Sequence, residues 1–294
     1  MKTGRIQRFI RGTLAATLVG LITFICTPAN AAHELIYIVD QYNNLTSFYS
    51  DTPGSIINTY HIDGVQNAEE IRGIDYWNGT IYGMGSFGEL YTINPSNGHA
   101  TMVGSGFGVT PNGATFGVDN GPAGFQIVSG NNQSLLVNRS TGVATVTPSP
   151  SYAAGDPLAG QTPRVDALAY DPATGTWYAD DTLANSLATF NPATGVLHSI
   201  GANGIDASRY NGIDISGLTE IMYLGTPAAS SDPQANLYTV NKVTGAVSLV
   251  GQIGNPGDDV LLRGLTVVSV PEPSSVALLA LGAFGFLIAR RRQQ

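Results

Sequence analysis

The chain has 294 residues, with 36 glycines, 16 prolines and 13 tyrosines but only 12% charged residues. That composition suits short strands joined by tight turns, and it leaves few stretches rich in the Ala, Leu, Glu and Lys of long surface helices. The formal charge of −8 excludes nucleic-acid binding as a function class, because neutralising phosphates needs a basic face.

Lys2, Arg5, Arg8 and Arg11 precede an apolar run from Leu14 to Cys26, and Ala29-Asn30-Ala31 follows. These are the basic, apolar and small-residue regions of a secretory signal peptide spanning residues 1–31. Signal peptidase is expected to read Ala29 and Ala31 and to cut before Ala32. The alternative, a retained membrane helix, sits poorly with so short a run and so good a cleavage site. Thr23-Phe24-Ile25 lacks the small residues that would make Cys26 a lipoprotein cysteine. Cleavage removes this single cysteine, so the mature chain has no disulfide and no thiolate nucleophile or ligand. Between residues 32 and 269 only six basic residues face 20 acidic ones, a net charge near −14. Solubility and cation binding fit such a balance.

Five repeats fill the middle. A turn signature recurs at Asp51-Thr52-Pro53-Gly54, Asn94-Pro95-Ser96-Asn97-Gly98, Asn138-Arg139-Ser140-Thr141-Gly142, Asn191-Pro192-Ala193-Thr194-Gly195 and Asn241-Lys242-Val243-Thr244-Gly245. Asn bonds its own backbone, Pro presets φ, and Gly takes the position with φ above zero, so each signature predicts a hairpin. A strand precedes each turn and carries Leu45, Leu90, Leu135, Leu187 or Leu237. Another follows it at 56–60, 100–103, 143–146, 196–200 and 247–250. A third lies upstream at 35–39, 81–84, 125–128, 176–179 and 221–224. A fourth starts with a small residue and an apolar one: Gly73-Ile74, Gly117-Val118, Ala167-Leu168, Gly212-Ile213 and Gly264-Leu265. The first repeat has no such strand before Leu35, whereas Arg263-Gly264-Leu265 stands spare after the fifth and echoes Arg72-Gly73-Ile74. The expected fold is therefore all-β, a five-bladed β-propeller over residues 32–269 closed by the C-terminal strand. A β-sandwich is the structural alternative, but it gives no reason for the returning strand.

Phe116-Gly117-Val118-Asp119, Tyr152-Ala153-Ala154-Gly155-Asp156, Asn94-Pro95 through Gly98 and Arg263-Gly264-Leu265 resemble patterns of the domain-of-unknown-function family DUF4394. The resemblance runs from Phe116 to Val268 and more weakly through the earlier repeats. The family has no established activity to carry over, so it implies fold and not chemistry.

The chain ends with Val270-Pro271-Glu272-Pro273, an apolar helix expected over 275–289, and Arg290-Arg291-Arg292. The apolar stretch is shorter than a comfortable span, and the three arginines would stay cytoplasmic. The order of motif, helix and basic tail over 270–294 resembles the PEP-CTERM sorting signal of Gram-negative bacteria and cyanobacteria. The resemblance implies an exosortase-type transpeptidase as partner, processing near Pro271-Glu272-Pro273, and a link to exopolysaccharide and the cell surface.

Chemical motifs are sparse. Gly83-Met84-Gly85-Ser86-Phe87-Gly88 fits G-x-G-x-x-G, yet Glu89-Leu90-Tyr91-Thr92-Ile93 follows as a strand and not as the helix that would hold a pyrophosphate. No G-x-S-x-G, H-E-x-x-H or Walker sequence occurs. His33 lies at the mature N-terminus, and His61, His99 and His198 fall on or beside outer strands that point apart, which disfavours a shared metal. Asp75, Asp119 and Asp214 occupy equivalent inner-strand positions, with Ala169 and Thr266 completing the ring. Asp166 stands just before a small residue. These four aspartates are the candidate ligand or cation set, with Ca²⁺ the ion such oxygens suit; the competing reading has them accepting N–H groups between blades. Asp180-Asp181 and Asp258-Asp259 read as solvated loop pairs. The irregular segment from Pro148 to Arg164 is expected either to cover a channel mouth or to serve as a plain connector.

The function expected is an exported surface or matrix protein, transiently membrane-anchored, with a non-catalytic propeller that binds or displays. Tyr42, Tyr49, Tyr76 and Trp77 are its candidates for stacking on surface glycans or exopolysaccharide. The alternative is an extracytoplasmic lactone, glycan or ester hydrolase using channel carboxylates and Ca²⁺.

Overall fold

The computed structural model describes residues 33–268. The signal peptide with Ala29, Ala31 and Ala32 lies outside the described residues, as do Val270, Pro271, Glu272 and Pro273, the 275–289 segment and Arg290, Arg291 and Arg292. Within 33–268 the repeats form five sheets, antiparallel throughout except for one short parallel edge strand in the fourth. The first holds β1 (Leu35–Asp40), β2 (Asn44–Tyr49) and β3 (Ile56–His61). The second holds β4 (Ile71–Trp77), β5 (Thr80–Gly85), β6 (Leu90–Ile93) and β7 (Ala100–Val103). The third holds β8 (Phe116–Gly121), β9 (Gly124–Ser129), β10 (Ser134–Val137) and β11 (Ala144–Thr147). The fourth has the short β12 (Ser151–Tyr152), then β13 (Val165–Asp171), β14 (Thr176–Asp181), β15 (Ser186–Asn191) and β16 (Val196–Ala202). The fifth has β17 (Gly212–Ile215), β18 (Met222–Pro227), β19 (Ala235–Val240) and β20 (Val247–Gln252).

The last strand, β21 (Leu262–Val268), returns to the first sheet and pairs with β1, placing Ile36 opposite Val267 and Val39 opposite Gly264. The inner strands β21, β4, β8, β13 and β17 neighbour one another in a closed circle. The molecule is a five-bladed β-propeller whose ring is completed by its C-terminal strand. A sandwich is ruled out by five separate sheets.

The core lies between blades. Ile36 and Phe48 of the first blade pack with Tyr223 and Leu237 of the fifth, and Val128 of the third packs with Leu168 and Trp177 of the fourth. The recurring leucines Leu45, Leu90, Leu135, Leu187 and Leu237 are each no more than 1% exposed. Burying one contributes roughly 1.5–3 kcal/mol, which explains why the leucine survives in every repeat.

Four of the five turns follow the expected chemistry. Asn94, Asn138, Asn191 and Asn241 accept a side-chain hydrogen bond from the N–H two residues on, and their carbonyls accept from Gly98, Gly142, Gly195 and Gly245. Those glycines have φ of +77°, +67°, +74° and +78°. Gly54 does not take a positive φ; the Asp51-Thr52-Pro53-Gly54 turn closes instead through Thr52 N–H to Tyr49 and Ser55 N–H to Thr52. All five turns emerge on one face, the turn face. The connections between blades, 62–70, 104–115, 148–164, 203–211 and 253–261, emerge on the other, the connection face.

The 148–164 segment connects the third blade to the fourth on the connection face, where β12 adds a parallel strand to the outer edge of β16 and Arg164 lines a pocket. Tyr152 Oη donates to Asp181, and Asp156 accepts from Ser199. Asp180 and Asp181 are not a solvated loop pair but the buried end of β14. Asp180 accepts from Asn203 and Asn211, each at 2.7 Å, and burial pushes its carboxyl up to about 7.

Candidate functional site at the propeller axis

The small residue at the start of each inner strand sets the bore of the channel. A methyl group on Gly117 would lie 2.6 Å from the Ala167 carbonyl carbon, one on Gly212 2.5 Å from Leu265 N, and one on Gly264 2.7 Å from Ile74 N. Backbone therefore meets backbone around the axis and leaves a gap of only about 10 Å³. The channel is pinched shut in the middle and has two separate mouths.

On the turn-face side of the pinch lies an open bowl of about 500 Å³. Its floor is the expected ring, two residues beyond the small position: Asp75, Asp119, Ala169, Asp214 and Thr266. Asp75 accepts the N–H of Tyr76 at 2.7 Å and that of Asn120, in the next blade, at 2.9 Å. Asp119 accepts Asn120 N–H and, across the next boundary, Tyr170 N–H, both at 2.5 Å. Asp214 accepts Ile215 N–H and Val267 N–H, both at 2.6 Å. Thr266 Oγ1 accepts Tyr76 N–H at 2.9 Å and donates to Asp214 at 2.9 Å. At four of the five boundaries, then, a side-chain oxygen of one blade takes the backbone N–H of the next. Ala169 omits that bond at the fourth.

The three aspartates are buried, and desolvation is the main force on their protonation. It pushes Asp75 up to about 6 and raises Asp119 and Asp214 well above the ordinary carboxylate range, helped by the negative charge of Asp75 beside both. One oxygen from each lies within 4.8 Å of the others, the one such grouping of His, Cys, Asp and Glu among the described residues. Hard oxygens at this spacing suit a divalent cation such as Ca²⁺, yet every one of these oxygens already accepts a backbone N–H. Asp166 does not join them. It lies on the far side of the pinch, buried, bonded to Thr115 at 2.5 Å and to Thr182, with Arg164 Nε 3.3 Å away.

The rim is set by the residue after each ring position: Tyr76, Asn120, Tyr170, Ile215 and Val267 all line the bowl, as does Trp77. Trp77 is 37% exposed, and the Arg139 guanidinium sits 4.8 Å from its ring centroid while holding Asn120 Oδ1 and the Gly121 carbonyl. Tyr170 and Arg139 escaped the sequence reading, although both were within reach of it. Tyr170 stands at the repeat position of Tyr76, and Arg139 is the second residue of a turn on this face. Of the other aromatic candidates, Tyr49 stacks on His33 with centroids 3.7 Å apart. Tyr42 lies on the connection face beside Asp259. The histidines do not converge: His99 pairs with Asp63 at 2.6 Å, while His61 and His198 sit on the outer strands β3 and β16. The G-x-G-x-x-G run is the β5–β6 hairpin, with Gly88 at φ +99°.

These features define a closed five-bladed propeller with an acid-floored axial bowl. Residues 44–266 match the family model described as Domain of unknown function (DUF4394), and the chain belongs to that family. Residues 269–292 match the PEP-CTERM protein-sorting motif, which implies export, processing by exosortase and sorting to the cell surface. Comparison with curated proteins gives no match. Among solved structures, the chain is similar to the glutaminyl cyclase of Myxococcus xanthus, with a TM-score of 0.46 and 12% identity over 71% of this chain and 83% of that one. It is similar to a protein of unknown function from Bacteroides caccae, with a TM-score of 0.44 and 10% identity over 81% and 100%. A chain of a nidogen/laminin complex gives 0.47 and 11% over 80% and 97%.

Proposed function

We propose that the mature domain is a non-catalytic binding or display head, carried across the inner membrane and anchored briefly by the apolar 275–289 segment. Exosortase then processes it near Pro271-Glu272-Pro273 and leaves it at the cell surface or in the extracellular matrix. The observation that supports this is the state of Asp75, Asp119 and Asp214. The carboxylates a hydrolase would recruit as acid, base or Ca²⁺ ligands are occupied in joining one blade to the next. The bowl above them presents Tyr76, Trp77 and Tyr170, rings with an apolar face and, in tyrosine, a polar tip, which suits stacking against a sugar.

One observation favours the hydrolase reading: burial, and after it the charge of Asp75, raises the proton affinity of Asp119 and Asp214, and a carboxyl of raised proton affinity beside an open bowl is what a general acid requires. A panel of esters, lactones and glycosides, with and without Ca²⁺, separates the two. No turnover is expected; turnover that disappears in Asp119→Ala overturns the binding reading. For the sorting route, replacing Pro271-Glu272-Pro273 with alanines is expected to leave the unprocessed chain in the inner membrane. Normal processing of that variant would remove exosortase from the account.

A further inference from the structure

The opposite mouth has a different chemistry. Four of the six basic residues in 33–268 lie on the connection face, Arg72, Arg164, Arg209 and Arg263, in a domain that is otherwise strongly acidic. Arg72 and Arg263 hold the equivalent position in neighbouring blades, one residue before the pinch. Both reach a single oxygen, Glu70 Oε2, at 2.6 and 2.9 Å. Two guanidinium groups therefore share one carboxylate, which leaves a positive charge in excess. Arg263 is the more buried, its side chain only 11% exposed. Its Nη1 lies near Glu70 but off the hydrogen-bond line, so that both Nη1 and Nε are without an acceptor. Buried, unpaired guanidinium N–H groups are costly, and a second oxyanion relieves that cost. Burial, and after it the proximity of Arg263, pulls the Arg72 guanidinium below its usual range.

On the same face a pocket of about 470 Å³ opens where the 148–164 and 203–211 connections meet the β14–β15 and β18–β19 loops. Arg164, Thr182, Asn185, Ser208, Arg209 and Tyr210 line it, with one carboxylate, Asp206, which accepts from Ser230 Oγ at 2.8 Å. Hydroxyl and amide groups predominate, and apolar anchors of the kind a peptide needs are scarce. Arg209 has no carboxylate within ion-pair distance among the described residues, and its guanidinium lies 5.2 Å from the Tyr210 ring centroid. Tyr210 joins the two features: it lines the pocket and precedes Asn211, which in the fifth blade holds the position that Arg263 holds in the adjoining first blade.

We infer that the connection face binds an acidic saccharide: its carboxylate takes the place of Glu70 between Arg72 and Arg263, and its hydroxyls enter the Tyr210 pocket. Glu70, itself 42% exposed, is a stand-in held in place until a ligand carboxylate displaces it. This site lies across the pinch from the aromatic bowl and stands independently of it.

Calorimetric titration of the full-length chain in detergent with glucuronate, glucose, sulfate and a short polyglutamate peptide tests the inference. Glucuronate is expected to bind and glucose is not. Glu70→Gln is expected to tighten glucuronate binding by about tenfold, because the internal competitor is gone. Arg263→Gln is expected to abolish it. Arg263→Lys keeps the charge but loses the fork, and is expected to weaken binding by about tenfold if folded. Trp77→Ala, in the other mouth, is expected to change nothing, so failure there is separable from failure here. A Glu70→Gln variant that melts normally but binds no glucuronate overturns the inference, leaving the arginines as a blade clasp. Tighter binding of sulfate or of polyglutamate than of glucuronate overturns the sugar-acid assignment.

Discussion

Asp119 shows how one residue serves two ends at the axis. Its two oxygens take an N–H from its own blade and one from the next, yet its charge repels Asp75 and Asp214. Protonation relieves the repulsion but weakens the two N–H bonds, which favour the charged form. The sign follows from the folded state holding the proton more tightly than the unfolded chain. For Asp75 the neutral form's contribution is fully present below about 3.8 and is lost as pH rises through about 6; Asp119 and Asp214, raised in the same direction, add to the loss. A rise from 3.8 to about 6 corresponds to on the order of 3 kcal/mol, or several degrees in melting temperature. Thermal melts are therefore expected to fall between pH 4 and pH 8. Thr266 shows that a hydroxyl can do the same joining without charge, since it accepts Tyr76 N–H at 2.9 Å. Asp119→Thr is accordingly expected to flatten the pH dependence; an unchanged slope would mean that the trio is not the group titrating. The repeat alignment made the three aspartates legible as equivalents. It set Asp166 just before the small position and not two beyond it, but did not show that three residues along a strand crossing the pinch is the difference between opposite mouths.

At the scale of the element, the turn glycines carry two constraints at once. Gly142 has φ +67°, and a methyl group there would sit 2.4 Å from the Val103 carbonyl oxygen of the neighbouring blade. Gly155 has φ +84° with nothing within 4 Å. Gly155→Ala is expected to cost about 1 kcal/mol for the left-handed backbone alone. Gly142→Ala adds a collision with backbone and is expected to cost roughly 2–4 kcal/mol. Urea unfolding of the pair reads the difference, and equal losses would show that the turns do not seat against adjacent blades. The conformational half of this was visible in the Asn-x-x-x-Gly spacing. The contact half was not, because the turn motif carries no information about what lies beside it. The same limit hid the role of 148–164, whose Ser151-Tyr152 is too short to carry a strand pattern and becomes β12 through the free edge of β16.

For the whole molecule, closure is the decisive property. β21 supplies the inner strand of the first blade, and its Leu265 and Val267 pack with Ile36 and Ile38. A chain ending at Leu261 would leave β1 an open edge beside the axis and expose the boundaries to the second and fifth blades. It is expected to lose its cooperative thermal transition, whereas a chain ending at Val268 keeps it; cooperative melting of both would show that the ring does not depend on its closing strand.

Blade number, strand order and closure were readable along the chain because each rests on local chemistry repeated five times: a turn-forming Asn and Gly, a leucine facing inward, a small residue where inner strands converge. The spare Arg263-Gly264-Leu265 copy then required a partner at the opposite end. What lay beyond the linear pattern was everything set by the gap between strands. The approach of Gly117 to Ala167 and of Gly264 to Ile74 seals the channel and separates the acid-floored bowl from the arginine mouth, and Asn203 and Asn211 close over Asp180. Those outcomes depend on distances of a few ångströms between residues far apart in sequence, and no repeat or motif encodes a distance of that kind.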